Sequence, residues 1–389
     1  MENFSFYSPT YFSFGRDSEK QVGEMVRRFG GTKVLLHSGG GSIKKNGVWE
    51  AVTHSLREAG IPFVELTGVR PNPRSGLVYE GIELCRKEKV DFILAVGGGS
   101  VIDSSKAIAA GVPYDGDFWD FYSGKPVEKA LPVGTVLTIA AAGSEGSGDS
   151  VITLEKGMLK RAASGDALRP KFSIMNPQFT CSLPAYATAC GITDIMAHVC
   201  ERYFTNTRDV ETTDRLCEGI LKAVITEAPQ VIAHLDDYQA RANLMWAGMV
   251  AHNNLCGVGR SQDWSSHGLE HELSALYDVA HGAGLAVMMP AWMQYVMSHD
   301  VVRFVQFAVR VWDCDMNFAN PEITAAEGIA RFRAFLKSIG MPSNFAELGA
   351  KEEDIPKMVA TLGLSEQRKM GGFVKLGASD AEAIYRIAL

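Results

Sequence analysis

Twice within its first hundred residues this chain runs from a short apolar stretch into a cluster of glycines and on into a helical pattern. Lys33-Val-Leu-Leu-His37 leads into Ser38-Gly39-Gly40-Gly41-Ser42, and Asp91-Phe-Ile-Leu-Ala-Val96 leads into Gly97-Gly98-Gly99-Ser100. Helical patterns follow each turn, at 49–59 and 101–110. A third strand pattern, Phe63-Val-Glu-Leu66, passes through the stiff Pro71-Asn72-Pro73 to a helix at 75–88. Strands alternating with helices predict a mostly parallel sheet covered on both faces, a Rossmann-like α/β fold. Residues 134–153 add two strand-like pieces around a turn of small residues.

The 97–100 turn is the stronger nucleotide signal. Glycines let a backbone approach a pyrophosphate, and the amides at a helix start face it. The turn is neither G-x-G-x-x-G nor a Walker loop, so its weight comes from there being two such turns. Packing alone explains a single one. The 38–42 turn bears on cofactor choice. NAD enzymes usually place an acid near such a strand end to hold the ribose 2′-hydroxyl. Here stand Ser38 to Ser42, then Lys44 and Lys45. Hydroxyls and lysines tolerate a 2′-phosphate, so NADP(H) is expected, although the same lysines would also simply coat a helix start.

Metal-ligand residue types are dense only between Gly191 and Pro290. Asp194 and His198 are four apart, as are His267 and His271, and His281 follows ten residues later. On a helix, a spacing of four puts both side chains of a pair on one face. A carboxylate with several imidazoles suits a divalent ion, Fe²⁺ or Zn²⁺. Structural histidines are the bland alternative. A sharper competitor is His267-Gly-Leu-Glu270-His271, which spells the inverted zinc-peptidase pattern with Glu270 as base. It leaves Asp194, His198, His281 and the glycine turns without a task.

The chain has 389 residues, so two domains are expected. We place them at 1–184, nucleotide-binding α/β, and 185–389, all-helical and metal-binding. Helical patterns occupy 185–204, 209–227, 237–256, 264–277, 283–297, 300–311, 324–338 and 380–388. Met245, Trp246, Met288, Met289, Trp292, Met293 and Tyr295 read as core, with some of them available to line an apolar substrate pocket. A net charge of -7 argues against nucleic acid. No signal peptide and no run of 18 apolar residues is found, so neither export nor a membrane is expected. The seven cysteines form no C-x-x-C pair, which suits a reducing cytoplasm.

Taken in order, these pieces resemble the iron-containing, or group III, alcohol dehydrogenases, nearest the butanol dehydrogenase and broad NADPH-dependent aldehyde reductase branch. The matching pieces begin with Pro9-Thr10 and Phe14-Gly15, GGGSIKKNGV at 39–48 and Pro71-Asn72-Pro73. They continue with AVGGGSVIDSSKAIA at 95–109, GSE at 143–145, D-x-x-x-H at 194–198 and QDWSSHGLEHELSALYDVAHGAGLAVMMPA at 262–291. The last is specific by itself, and the set in order is very specific.

The resemblance implies a dehydroquinate synthase-like architecture, an α/β domain followed by an all-α domain. It assigns metal binding to Asp194, His198, His267 and His281. It assigns cofactor contact to Gly40, Gly41, Ser42, Asn72, Gly98, Gly99, Ser100, Asp103, Thr138, Ser147, Val151, Lys160, Phe179 and Leu183. A homodimer is a further family expectation. Ala140 and Ala142 depart from the pattern, because the family often has threonines there.

The expected reaction is hydride transfer between NADP(H) and a small aldehyde or primary alcohol, such as butanal and butanol, with the metal polarising the carbonyl. His271 is the candidate proton relay, since histidine ordinarily titrates near neutrality. A supporting contact behind a metal ligand, or simple packing, would also explain it. Asp103 is expected either to position the nicotinamide end or to cap its helix. Alternatives on the same fold are a dehydroquinate synthase-like lyase, which needs a basic phosphate pocket, and a glycerol dehydrogenase-like enzyme using NAD. A non-catalytic binder is disfavoured because all four ligand positions are filled.

Overall fold

A computed structural model describes residues 1–389. Eight strands form: β1 Tyr11–Phe14, β2 Val34–Gly39, β3 Phe63–Val69, β4 Phe92–Gly97, β5 Val133–Leu137, β6 Asp149–Leu154, β7 Leu159–Ser164 and β8 Phe172–Met175. Six of them make one sheet in the order β1-β8-β5-β4-β2-β3, with every pair parallel. Side chains alternate between the faces of a strand, and the sheet is apolar on both. Leu35, Ile93 and Val133 pack under the helices Ser75–Glu88 and Gly99–Gly111. Val34, Leu36, Leu94 and Val136 pack under Val22–Arg28 and Val48–Glu58.

The two pieces in 134–153 are strands, but they do not pair with each other. β5 joins the sheet, whereas β6 folds back antiparallel onto β7, a strand the sequence reading did not resolve.

The chain packs as two compact units. One holds Tyr7–Pro184 together with His234–Asn253; the other holds Met1–Phe6, Ala185–Ala233 and Asn254–Leu389. The helix Tyr238–His252 therefore belongs with the sheet. Gly143, at φ +64, lies so close to it that a Cβ there would stand 2.5 Å from the Gly248 carbonyl oxygen. Trp246 meets Phe12 and Phe14 edge-on, and His252 Nε2 bonds the Asp149 carboxylate at 2.9 Å. Trp246 is thus 45% exposed rather than core. Met245, Met288, Met289, Trp292 and Met293 are buried as expected.

The second unit is helical. The helices Ala185–Tyr203, Ser265–Tyr277 and His281–Val296 carry the candidate ligands. None of the helices in the chain is long and apolar enough to cross a membrane.

Candidate active site

Three helices deliver the metal candidates. Asp194 and His198 sit one turn apart on Ala185–Tyr203, both buried. His267 lies in the first turn of Ser265–Tyr277, and His281 opens His281–Val296. Asp278, left-handed at φ 53, ends the middle helix and turns the chain toward His281. Asp194, His267 and His281 bring donor atoms within 4.8 Å of one another. Asp194 Oδ1 is 3.8 Å from the Nε2 of His267 and 3.8 Å from the Nε2 of His281. His198 borders this trio, with Nδ1 3.4 Å from Asp194 Oδ1 and its ring stacked on that of His267.

These residues fit a cation. Asp194 Oδ1 and His267 Nε2 are buried without a hydrogen-bond partner, a costly arrangement for polar atoms unless something else satisfies them. Burial works against a charged imidazole, but the Asp194 and Glu201 carboxylates outweigh it and hold His267 up at about 9. A divalent ion takes the place of such a proton.

Two carboxylates that the sequence reading did not place as partners complete the cluster. Glu201 accepts from His267 Nδ1 at 2.9 Å, and Glu270 bonds His281 Nδ1. Glu201 was findable, since it lies three residues past His198 and seven past Asp194 on one helix face. Glu270 is fully buried against His281, so it is not the exposed general base of the inverted peptidase reading. His271 is half-buried with its ring 5.7 Å from that of His281, and it stands outside the Asp194 trio.

The nucleotide candidates lie in the sheet unit. β2 and β4 are parallel neighbours, paired from Val34 with Phe92 to Ser38 with Val96, so both glycine turns leave the sheet at the same end. The chain runs from β2 outward to β3 and from β4 the other way to β5, which makes this the point where strand order reverses. Open α/β sheets bind ligands there. A Cβ added to Gly40 or Gly41 would meet nothing within 4 Å, and Gly41 has φ +110. The cradle therefore has room for a bound group, and its backbone favours glycine. Gly98 precedes the helix Gly99–Gly111, whose first turn holds Ser100 and carries no side-chain cap. Thr138 follows β5 and donates its amide to Gly97 O at 3.0 Å.

Asp103 does not cap its helix. Its carboxylate accepts from Ser144 Oγ at 2.6 Å and from the Val151 amide at 3.0 Å. Asn72, at φ 53, accepts from Lys160 Nζ at 3.0 Å, both side chains buried. Ser147 lies in the turn before β6, Phe179 in the short helix Pro177–Thr180, and Leu183 bonds Thr180 O at 3.1 Å. The sequence reading passed over Lys106. Its fully buried ammonium donates to Ser144 O, Ser144 Oγ, Ser147 O and Asp149 O at 2.7–2.9 Å, binding the 144–149 turn together. Burial lowers that ammonium to about 8 against the pull of Asp103, Asp149 and Glu145.

The family pattern described as iron-containing alcohol dehydrogenase matches residues 9–177, and that of its C-terminal part matches residues 188–389. This chain belongs to the iron-containing alcohol dehydrogenases. Among relatives of this alcohol dehydrogenase, the probable NADH-dependent butanol dehydrogenase 2 of Bacillus subtilis is 43% identical over 100% of both chains. The NADPH-dependent aldehyde reductase YqhD of Escherichia coli is 34% identical, again over 100% of both. The structure of NADH-dependent butanol dehydrogenase A from Thermotoga maritima superposes with a TM-score of 0.96 at 42% identity, covering 100% of this chain and 99% of that one. The α/β-then-helical architecture and the butanol dehydrogenase and aldehyde reductase branch agree with the sequence reading.

Proposed function

We propose that this alcohol dehydrogenase interconverts aldehydes and primary alcohols of the butanal and butanol type, using NADP(H) and a divalent metal. The convergence of Asp194, His267 and His281 on a buried point with two unsatisfied donor atoms carries the reading. An iron or zinc ion held by Asp194, His198, His267 and His281 supplies a Lewis acid for a carbonyl oxygen. A nicotinamide cofactor held by the Gly40–Ser42 and Gly98–Ser100 turns supplies hydride chemistry. His271, beside the ligand set but outside it, holds and releases the proton that the alkoxide product takes up. Asp103 and Lys106 act from behind, keeping the 144–151 backbone in one shape. A lyase that binds a phosphorylated substrate is disfavoured, since buried carboxylates surround the ligands.

NADP(H) is favoured by a Ser38–Ser42 turn that lacks an acid and by the lysines after it. A second reading, NADH preference, has its own observation. Lys44 Nζ is 3.6 Å from the Glu65 carboxylate and lies over the Trp49 ring, so its charge is partly engaged. Relatives named for each cofactor exist. The test is reduction of butanal by NADPH and NADH side by side, with protein stripped of metal and refilled with Fe²⁺ or Zn²⁺. Metal-dependent turnover faster with NADPH supports the whole reading. Faster turnover with NADH selects the second cofactor, and full activity without metal overturns the metal assignment.

A further inference from the structure

We propose that Glu201 and Glu270 are the positioning residues of the metal centre, each holding one ligand imidazole by Nδ1 so that both Nε2 lone pairs face Asp194. The inference rests on the metal reading above. Two histidines from different helices share one arrangement. Each has Nδ1 against a carboxylate that is 0% exposed, and each has Nε2 3.8 Å from the same Asp194 oxygen. A neutral imidazole carries one N–H. A carboxylate at Nδ1 keeps the hydrogen there, leaves Nε2 free to coordinate and makes the ring a stronger donor.

The same carboxylates join the helices. Glu201 Oε2 accepts the Trp264 amide at 2.8 Å, and Oε1 accepts the His267 amide at 3.0 Å. These are N–H groups at the start of Ser265–Tyr277, which has no partner for them in its own turns; the N-cap residue Trp264 offers no side-chain cap, and Asp263 takes the Ser265 amide instead, at 2.8 Å. Trp264 reaches this position in a left-handed conformation, φ 72, unusual for an aromatic residue. One side chain of the helix bearing Asp194 and His198 thus caps the helix bearing His267 and grips its imidazole. Glu270 reaches from that helix to the first residue of His281–Val296 and holds its imidazole. Gly284 makes the approach possible, because a Cβ there would lie 2.7 Å from Glu270 Cγ.

The test uses the full chain stripped of metal and titrated with Co²⁺, whose visible absorption reports ligand geometry. Affinity is read by competition with a chelator. Glu201→Gln and Glu270→Gln should each weaken Co²⁺ binding about 10–100-fold and alter the spectrum. Glu218→Gln is the control. Glu218 is a buried carboxylate bonded to Tyr203 and Arg215, away from the ligands. It should lower thermal stability and leave Co²⁺ affinity and spectrum unchanged. Unchanged affinity and spectrum in both Glu201→Gln and Glu270→Gln overturn the proposal, as does an equal loss in Glu218→Gln. Should Glu201→Gln fail to fold because the helix cap is lost, Glu270→Gln decides. Asp194→Ala separates the two levels. Parental Co²⁺ binding by that variant sinks the metal reading itself. Its loss alongside unaffected glutamate variants sinks only this inference.

Discussion

A Cβ placed on Gly282 would stand 2.0 Å from the carbonyl oxygen of Cys190. The helix that opens with His281 therefore lies directly on the backbone of the helix that carries Asp194. No side chain fits between them, and backbone cannot rotate away. Gly282→Ala should destabilise the protein by about 1–3 kcal/mol through overpacking and displace His281 from Asp194. Thermal unfolding and metal content check both. An unchanged melting point with full metal content would mean the helices slide freely.

Asp194 is the one oxygen that faces both Nε2 atoms. Asp194→Asn keeps the size and removes the charge. Its metal content should fall sharply with little change in fold, and butanal reduction should drop to the level of the metal-stripped parent. Elemental analysis beside a circular dichroism spectrum distinguishes this from unfolding.

His271 stands beside His281 without joining the Asp194 trio. His271→Ala should retain metal and lower kcat by about 10²–10⁴-fold, the usual worth of a positioned acid–base group. The pH dependence of kcat should lose one limb. Full kcat with normal metal content would return His271 to a packing role.

His37 is completely buried, with Nδ1 donating to Leu66 O and Nε2 accepting from Ser104 Oγ, each at 2.9 Å. Burial pushes it down to about 4, against the Leu66 carbonyl that would raise it. The unfolded chain takes up this proton near its ordinary pKa of about 6.5, before the folded protein does. Stability is therefore whole above that pH and falls as pH drops toward 4, by about 3 kcal/mol. Chemical denaturation of the parent and of His37→Gln across this range should show the parent losing more. Parallel slopes would contradict the assignment.

Lys106 binds four oxygens of the 144–149 turn. Lys106→Met leaves those oxygens and Asp103 without their cation. A loss of about 3–5 kcal/mol is expected, with KM for the nicotinamide cofactor raised more than kcat is lowered. A normal KM in the folded variant would show that the turn holds its shape unaided.

Much of this was legible in the chain. Two strand-to-glycine turns imply parallel strands, because only that order of elements lets a helix return over the sheet. The spacing from Asp194 to His198 implies a shared helix face, and the structure agrees. What local pattern cannot carry is which surfaces meet. Tyr238–His252 has helical periodicity like its neighbours, yet it packs on the sheet because Gly143 lets Gly248 approach and Trp246 finds Phe12 and Phe14. Glu201 and Lys106 look like ordinary helix residues until their partners, 66 and 38–43 positions away, come within hydrogen-bond reach.

The sequence by itself determined the order of elements, the glycine turns and the residue types able to hold a cation. Those depend on spacing along one strand or helix, which a few neighbouring residues set. Only the tertiary structure decided that Asp194 faces two imidazoles at equal distance, that Glu201 and Glu270 hold those imidazoles from behind, and that Asp103 serves Ser144 and Val151 rather than its own helix. Those relations join segments far apart in the chain. They are settled by which buried polar groups find partners when the helices close, a balance that no single segment contains.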